Sequence, residues 1–467
     1  MTSVVLIQDV VDLIVDSLVG SIEEWLKDPD SPHRRDYPVS IRLRELKQCA
    51  LVNKAFAARA QKYIFSRIRI WTTLNRLPEC IPDTEKTSPT AAPALDQLSL
   101  QAISNLLDIL KRKPHLAGHV QTIDASAQLG HVLEHCQHLV KLLDLLRTYD
   151  NPRWIELRNA GRIWDSRGIP ADFRFQERVA ANLQVLECEH LAAMPLNLLA
   201  NSPHLSSLTL RYCSAEAQDQ KPQDRARIGT SPLPKLKHLS LFDSWTVLDA
   251  LVHGKKGVPN SQAPVDFSSL EHLTLDTSCY KTGAFPSVQR LLSMTRHSLK
   301  SIMLSKNILA DYERSYSTPL LDLSICGEGL EDFRLSVTLN NPREGHRLRQ
   351  IVDTLNTIPS PNAVKHIELF VDLSISRDFR NRDYGNPELG WEELDRVLNR
   401  IASTCSISSQ KVHFVLHLEF KCQCPVADKE CARFVKQLEE RVFPEVQRNG
   451  RIVFVVDYSM EEEMLFT

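Results

Sequence analysis

His131, Glu134 and His135 stand in the spacing H-x-x-E-H, and His138 adds an imidazole seven residues after the first. On a helix His131, His135 and His138 share one face, and side chains converging from one face can hold a zinc ion that activates water. A zinc hydrolase working through His131/His135 would follow. Three fixed residues in five arise by chance in on the order of a few per cent of chains this long. The segment HCQHL also aligns with NSPHL before Leu205 and TRHSL before Leu299, which predicts that His138 marks the passage from a helix into a strand. The motif is read as structural, and no metal is assigned. Cys422, Cys424 and Cys431, with His417 nearby, lack the paired C-x2-C spacing of structural zinc sites and are read as plain thiols. The chain has no Walker loop, GxGxxG, GxSxG or C-x-x-C, and only 15 glycines with which to build phosphate-cradling loops. No catalytic residue and no cofactor is expected.

Of 467 residues, 43% are hydrophobic and 24% charged, a globular balance too long for one ordinary core. A formal net charge of −2 supplies no field to draw nucleic acid or an anionic membrane. The segment MTSVVLIQDVVDLIVDSL has no basic start and is broken by Asp9, Asp12 and Asp16, so it reads as neither signal peptide nor membrane span. Eleven scattered cysteines read as reduced thiols, placing the chain in the cytoplasm or nucleus.

Leu6, Val10, Leu13, Ile14 and Leu18 recur at helical spacing, and a proline-bearing loop follows over 28–40. Leu43, Leu46 and Ala50 form one stripe, and Phe56, Ala60 and Ile64 continue a further helix after Asn53. RIRIW then alternates as a short strand. Three short helices bury little by themselves. Periodicity leaves open whether a partner or the rest of this chain covers the remaining apolar face.

The stretch LKQCALVNKAFAARAQKYIFSRIRI resembles the second half of the F-box of fungal F-box proteins, with Leu46, Cys49, Leu51, Val52, Phe56, Phe65 and Ile68 at the matching positions. Leu6-Ile7-Gln8 stands where such modules usually open on Leu-Pro. The resemblance implies that Leu6, Val10, Leu13, Ile14, Leu18, Leu46, Leu51, Val52 and Phe56 contact a Skp-type adaptor, and through it a cullin scaffold.

Beyond a proline-rich linker (76–97), six segments share L-x-x-L-x-L-x-x-(small polar): LSSLTLRYC from Leu205, LKHLSLFDS from Leu236, LEHLTLDTS from Leu270, LKSIMLSKN from Leu299, LEDFRLSVT from Leu330 and VKHIELFVD from Val364. Their starts differ by 31, 34, 29, 31 and 34 residues. The ninth residue of each (Cys213, Ser244, Ser278, Asn307, Thr338, Asp372) is small enough to bond a turning backbone. Weaker relatives begin at Val120, Leu139 and Leu183. Helical patterns lie between: PSVQRLLSMTRH, HRLRQIVDTLNTI and WEELDRVLNRIAS. One strand and one helix cannot close a core, so the units must stack. The pattern resembles leucine-rich repeats, with a closing helix near 428–442 and the strand RIVFVVDY as a cap. The expected fold class is α/β: an N-terminal three-helix F-box-like module (1–75), then a leucine-rich-repeat solenoid (98–467) with the parallel sheet inside and helices outside.

In L-x-L the leucines face the core and the residues beside them face the other side of the sheet. Arg211, Phe242, Asp276, Met303, Arg334, Glu368 and Phe370 are therefore the candidate target-binding residues. The resemblance implies a substrate-recognition adaptor of an SCF-type cullin–RING ubiquitin ligase. The alternative is a repeat scaffold that binds protein without any ubiquitin link.

Overall fold

A computed structural model describes residues 47–70, 97–126, 137–158, 180–191, 196–215, 232–253, 263–276, 285–304, 321–339, 345–375, 390–406, 411–422 and 427–462. The chain divides into two compact units, Met1–His204 and Leu205–Thr467. Both are α/β, and within each the strands are parallel and adjacent in chain order.

In the first unit, helix α1 (Lys54–Ile64) starts where the Asn53 side chain accepts hydrogen bonds from the N–H groups of Ala55 and Phe56, at 2.9 and 3.1 Å. That cap satisfies two donors the helix itself cannot pair. Phe56 and Ala60 are buried with Cys49, Ala50, Ala55, Tyr63 and Ile64 packed around them. The expected strand follows as β1 (Arg67–Ile70), which pairs in parallel with β2 (Thr122–Ser126). Next come β3 (Trp154–Arg158) and β4 (Val185–Glu189), with α2 (Gln97–Arg112), α3 (Gln137–Arg147) and a short α4 (Leu196–Ala200) between and after them.

One expected strand is absent from its place. The segment from Leu139 is helix, not strand, and His138 is the second residue of α3 rather than the turn into a strand. Leu139, Leu142, Leu143 and Leu146 are all buried. They stand at i, i+3, i+4 and i+7, and L-x-x-L satisfies a helix stripe as readily as a repeat. The strand of that unit is β3, where Pro152 occupies the place of the first leucine and hides the pattern.

The second unit contains β5 (Ser207–Arg211), β6 (His238–Phe242), β7 (His272–Leu275), β8 (Ser301–Leu304), β9 (Asp332–Leu339), β10 (His366–Ile375), β11 (Val412–Cys422) and β12 (Ile452–Glu462). All six expected repeat strands are present and pair in register, Leu208 against Leu239 against Leu273 against Ile302 and onward. The intervening helices are α5 (Trp245–His253), α6 (Phe285–Met294), α7 (Gly345–Asn356), α8 (Trp391–Ser403), α9 (Ala427–Gln437) and α10 (Pro444–Arg448). Their apolar stripes and the inward leucines form the core, with Leu248, Leu251, Leu291, Leu292, Ile351 and Ile401 fully buried. In α8, Glu392 and Glu393 complement the positive end of the helix, and buried Leu394, Val397, Leu398 and Ile401 keep helical spacing. Arg400 in its last turn donates to the carbonyls of Leu355 and Ile358, tying α8 to the end of α7.

Turns leaving β4, β5 and β6 follow one design. His190, Tyr212 and Asp243, at the same place after β4, β5 and β6, have φ of 56°, 54° and 48°. The next residue then folds back. Ser244 Oγ accepts from Cys213 N–H and donates to Phe242 O, both at 2.9 Å. The ninth position works as expected there. It does not in β9 and β10, which run 8 and 10 residues, so that Thr338 and Asp372 lie inside strands instead of at turns. Apolar alternation simply continues past them (Val337, Leu339; Val371, Leu373), which favours extending the ladder over turning.

Candidate functional site

Parallel strands in register place equivalent side chains about 4.8 Å apart, so outward residues form rows across the strands. The first row of the second unit runs Ser207, His238, His272, Ser301, Asp332, His366, His413 and Val453. The second runs Thr209, Ser240, Thr274, Met303, Arg334, Glu368, Val415 and Val455. In the third, Arg211 and Phe242 lie at one end and Ser336, Phe370, His417 and Asp457 at the other.

Neighbours in these rows touch. The His238 and His272 rings stack with centroids 4.6 Å apart and planes 1° from parallel. His366 and His413 lie at 5.1 Å, tilted by 30°, and Phe370 stacks on His417 at 4.4 Å. The Arg211 guanidinium carbon sits 4.0 Å above the Phe242 ring, and Arg334 pairs with Glu368 at 3.2 Å. His417 reaches Asp457 at 3.5 Å. The result is a surface of flat rings edged by paired charges.

Six of the seven expected target-binding residues share this face. Arg334 is exposed, and Arg211, Phe242, Met303, Glu368 and Phe370 are half-buried against their row neighbours. Asp276 behaves differently. Only 6% exposed, its carboxylate accepts the Asp243 N–H at 2.7 Å, which holds the turn after β6.

At the expected adaptor contacts, Leu51 and Val52 are 87% and 64% exposed, whereas Phe56 is turned into the cluster that seats α1. Leu6, Val10, Leu13, Ile14, Leu18 and Leu46 lie outside the described residues, as do His131, Glu134, His135 and Cys424. His138 is exposed at the start of α3, and Cys431 is buried in α9. Among the described residues no group of three or more His, Cys, Asp or Glu is placed to hold a metal ion. Burial, with a smaller contribution from Asp322, pushes the free thiol of Cys326 up to about 12.

Two features escaped the sequence reading. β11 belongs to the same face and brings His413, Val415 and His417, but Lys411 replaces its opening leucine. The second residue of successive repeats also alternates in sign: Lys237, Glu271, Lys300, Glu331, Lys365. Lys300 bonds Glu271 at 2.7 Å and Lys365 bonds Glu331 at 2.6 Å, and the Lys300 ammonium lowers the Glu271 pKa. Opposite charges on adjacent rungs favour this register over a slipped one. Reading the repeats in columns would have found them.

Burial lowers the pKa of both His238 and His272; the charge of His272 is the next cause for His238, while Glu271 opposes the shift in both. Their folded pKa lies under 6.5, so the unfolded chain binds protons more readily in the window below that value. The pair therefore withdraws stability as the pH falls through it. His272→Gln is expected to raise the His238 titration midpoint towards 6.5, measured by NMR of the imidazole protons in the full chain. An unmoved midpoint would show that the two rings do not interact in solution.

No protein-family model matches the chain, and neither a curated protein nor a solved structure matches it. No described helix is long and apolar enough to cross a membrane.

Proposed function

We propose that this chain is the substrate-recognition adaptor of an SCF-type ubiquitin ligase, docking through its F-box-like segment onto a Skp-type adaptor and holding a protein target on the open face of β5–β12. The observation that carries the reading is the exposure of Leu51 and Val52. Two adjacent large apolar side chains, immediately before a capped and well-seated helix, are at positions that the F-box resemblance assigns to the adaptor. Leaving them in water is unfavourable by roughly 1.5–3 kcal/mol each relative to burial, so a hydrophobic partner gains from covering them. The work of the chain is then proximity. A tethered target sees the ubiquitin-carrying enzyme at an effective concentration of order mM, and the bond chemistry belongs to that enzyme. Such an assembly operates in the cytoplasm or nucleus.

The test is capture of a purified Skp-type adaptor by the full-length chain. Leu51→Asp with Val52→Asp is expected to weaken capture at least tenfold while the far-UV circular dichroism stays unchanged. Capture that is absent, or indifferent to the double substitution, favours the second reading, a protein-binding scaffold without a ubiquitin link. One observation supports that alternative: α1 runs straight into β1, which pairs with β2, so the segment can serve as the end cap of a sheet.

A further inference from the structure

The first outward row of the second unit carries histidines as two cross-strand pairs. His238 on β6 is in register with His272 on β7, and His366 on β10 with His413 on β11. All four are exposed. Their ring centroids lie 4.6 Å apart in the first pair and 5.1 Å in the second. Imidazole suits zinc, nickel and copper, whereas magnesium and calcium take oxygen ligands. When two imidazoles share one such ion, each nitrogen lies about 2.1 Å from it, with about 90–110° between them. Those values set the two centroids roughly 4.5–5.2 Å apart, and both pairs already stand at that spacing.

Only the aim of the nitrogens has to change. The His238 and His272 planes are 1° from parallel, so their lone pairs run side by side instead of converging. The torsion that turns a histidine ring about Cβ–Cγ is broad, so the rings can swing towards a shared ion at little cost. Among the described residues, no hydrogen bond or ion pair holds any of the four rings in place. Burial lowers the pKa of His238 and His272, which keeps both rings in the neutral form that a metal requires at pH 7. Glu271, beside His272 in sequence, is bonded by Lys300 at 2.7 Å and leaves ligation to the imidazoles. Asp332, in register beside His366, puts negative charge next to the second pair.

We propose that each pair binds one divalent ion of the zinc, nickel and copper class through its two imidazoles. The remaining ligand positions of the ion face away from the sheet. Both sites are built by the second unit alone and are independent of any ubiquitin link.

Nickel chloride titrated into the full chain at about pH 7.5, read by NMR of the imidazole protons, tests the sites residue by residue. Bound nickel is paramagnetic, so the four paired rings are expected to broaden before His297, whose Nε2 accepts from Arg296. In His272→Gln the His238 signal, and in His413→Gln the His366 signal, should need at least tenfold more nickel, because the second nitrogen no longer binds within the same molecule. Magnesium chloride is expected to leave all four sharp. The substituted positions are exposed, and circular dichroism checks that the variants fold. Paired rings that broaden no earlier than His297, or a ring that broadens at the same nickel concentration after its mate is replaced, overturn the proposal.

Discussion

Methionine in place of Arg67 is expected to destabilise the first unit by about 3–5 kcal/mol, the usual consequence of leaving buried charges without their partner. One terminal nitrogen of this side chain, Nη2, bonds Asp124 at 2.8 Å and Glu156 at 2.6 Å, joining β1, β2 and β3. Both carboxylates are almost wholly buried, at 1% and 3% exposure. Neither could be taken from water without strong compensation, and the guanidinium supplies it to both. Because both bonds leave a single nitrogen, the substitution Arg67→Lys keeps part of the arrangement. The expected order of stability is therefore arginine, then lysine, then methionine. Hydrogen exchange at the β2 and β3 amides reads the effect locally, which matters in a chain of two units where one global transition is not assured. Protection that is unchanged in the methionine variant would mean that the three strands hold without the charge cluster.

Asp395→Ala should cost the second unit about 2–3 kcal/mol, chiefly through donors left without an acceptor. Asp395 sits on α8, 3% exposed, and its carboxylate accepts the Glu445 and Val446 N–H groups at 2.9 and 2.8 Å. It caps α10 from fifty residues away and so fixes the approach to β12. Burial raises its pKa, partly offset by those two donors. A carboxyl whose folded pKa is raised holds its proton more tightly when folded, so its contribution to stability falls as pH rises from the ordinary carboxyl value through the folded one. Asp395→Asn keeps one acceptor and cannot titrate. It should lose less than alanine, and its stability should lack that decline. Denaturant melts of wild type and both variants across roughly pH 4 to 7 measure the difference, using the m-value to confirm that the same transition is followed. Equal stability of the alanine variant would show that α10 is held by packing alone.

The repeat strands were legible in the sequence because their signal is local and redundant. A large apolar residue, most often leucine, at three fixed offsets, six times over, places inward and outward residues without reference to anything distant. The helices from Phe285, Gly345 and Trp391 were legible for the same reason. Errors arose where one pattern fits two structures. Leu139 to Leu146 satisfies the first half of the repeat and a helix equally, and only burial of all four leucines on one helix face separates them. β3 and β11 were hidden by Pro152 and Lys411 at their first positions, although Ile155, Leu157, Phe414 and Leu416 keep the rest of the motif. Among the site residues, alternation alone put Phe242, Met303 and Phe370 on the outward face. It could not tell that Phe242 lies under Arg211 or that Phe370 stacks on His417, since both contacts depend on which strand is the neighbour.

The sequence by itself determined the unit, a strand of alternating leucines followed by a helix, and therefore which side chains face away from the core. Tertiary structure decided everything that depends on stacking units in register. It made rows out of residues about thirty positions apart, set His238 on His272, sank Asp276 into a turn and left the β12 edge outermost among the described strands. The physical reason is one of range. Side-chain direction follows from the backbone of a few residues, whereas contact, burial and pKa depend on groups that the chain brings together only when the rungs assemble.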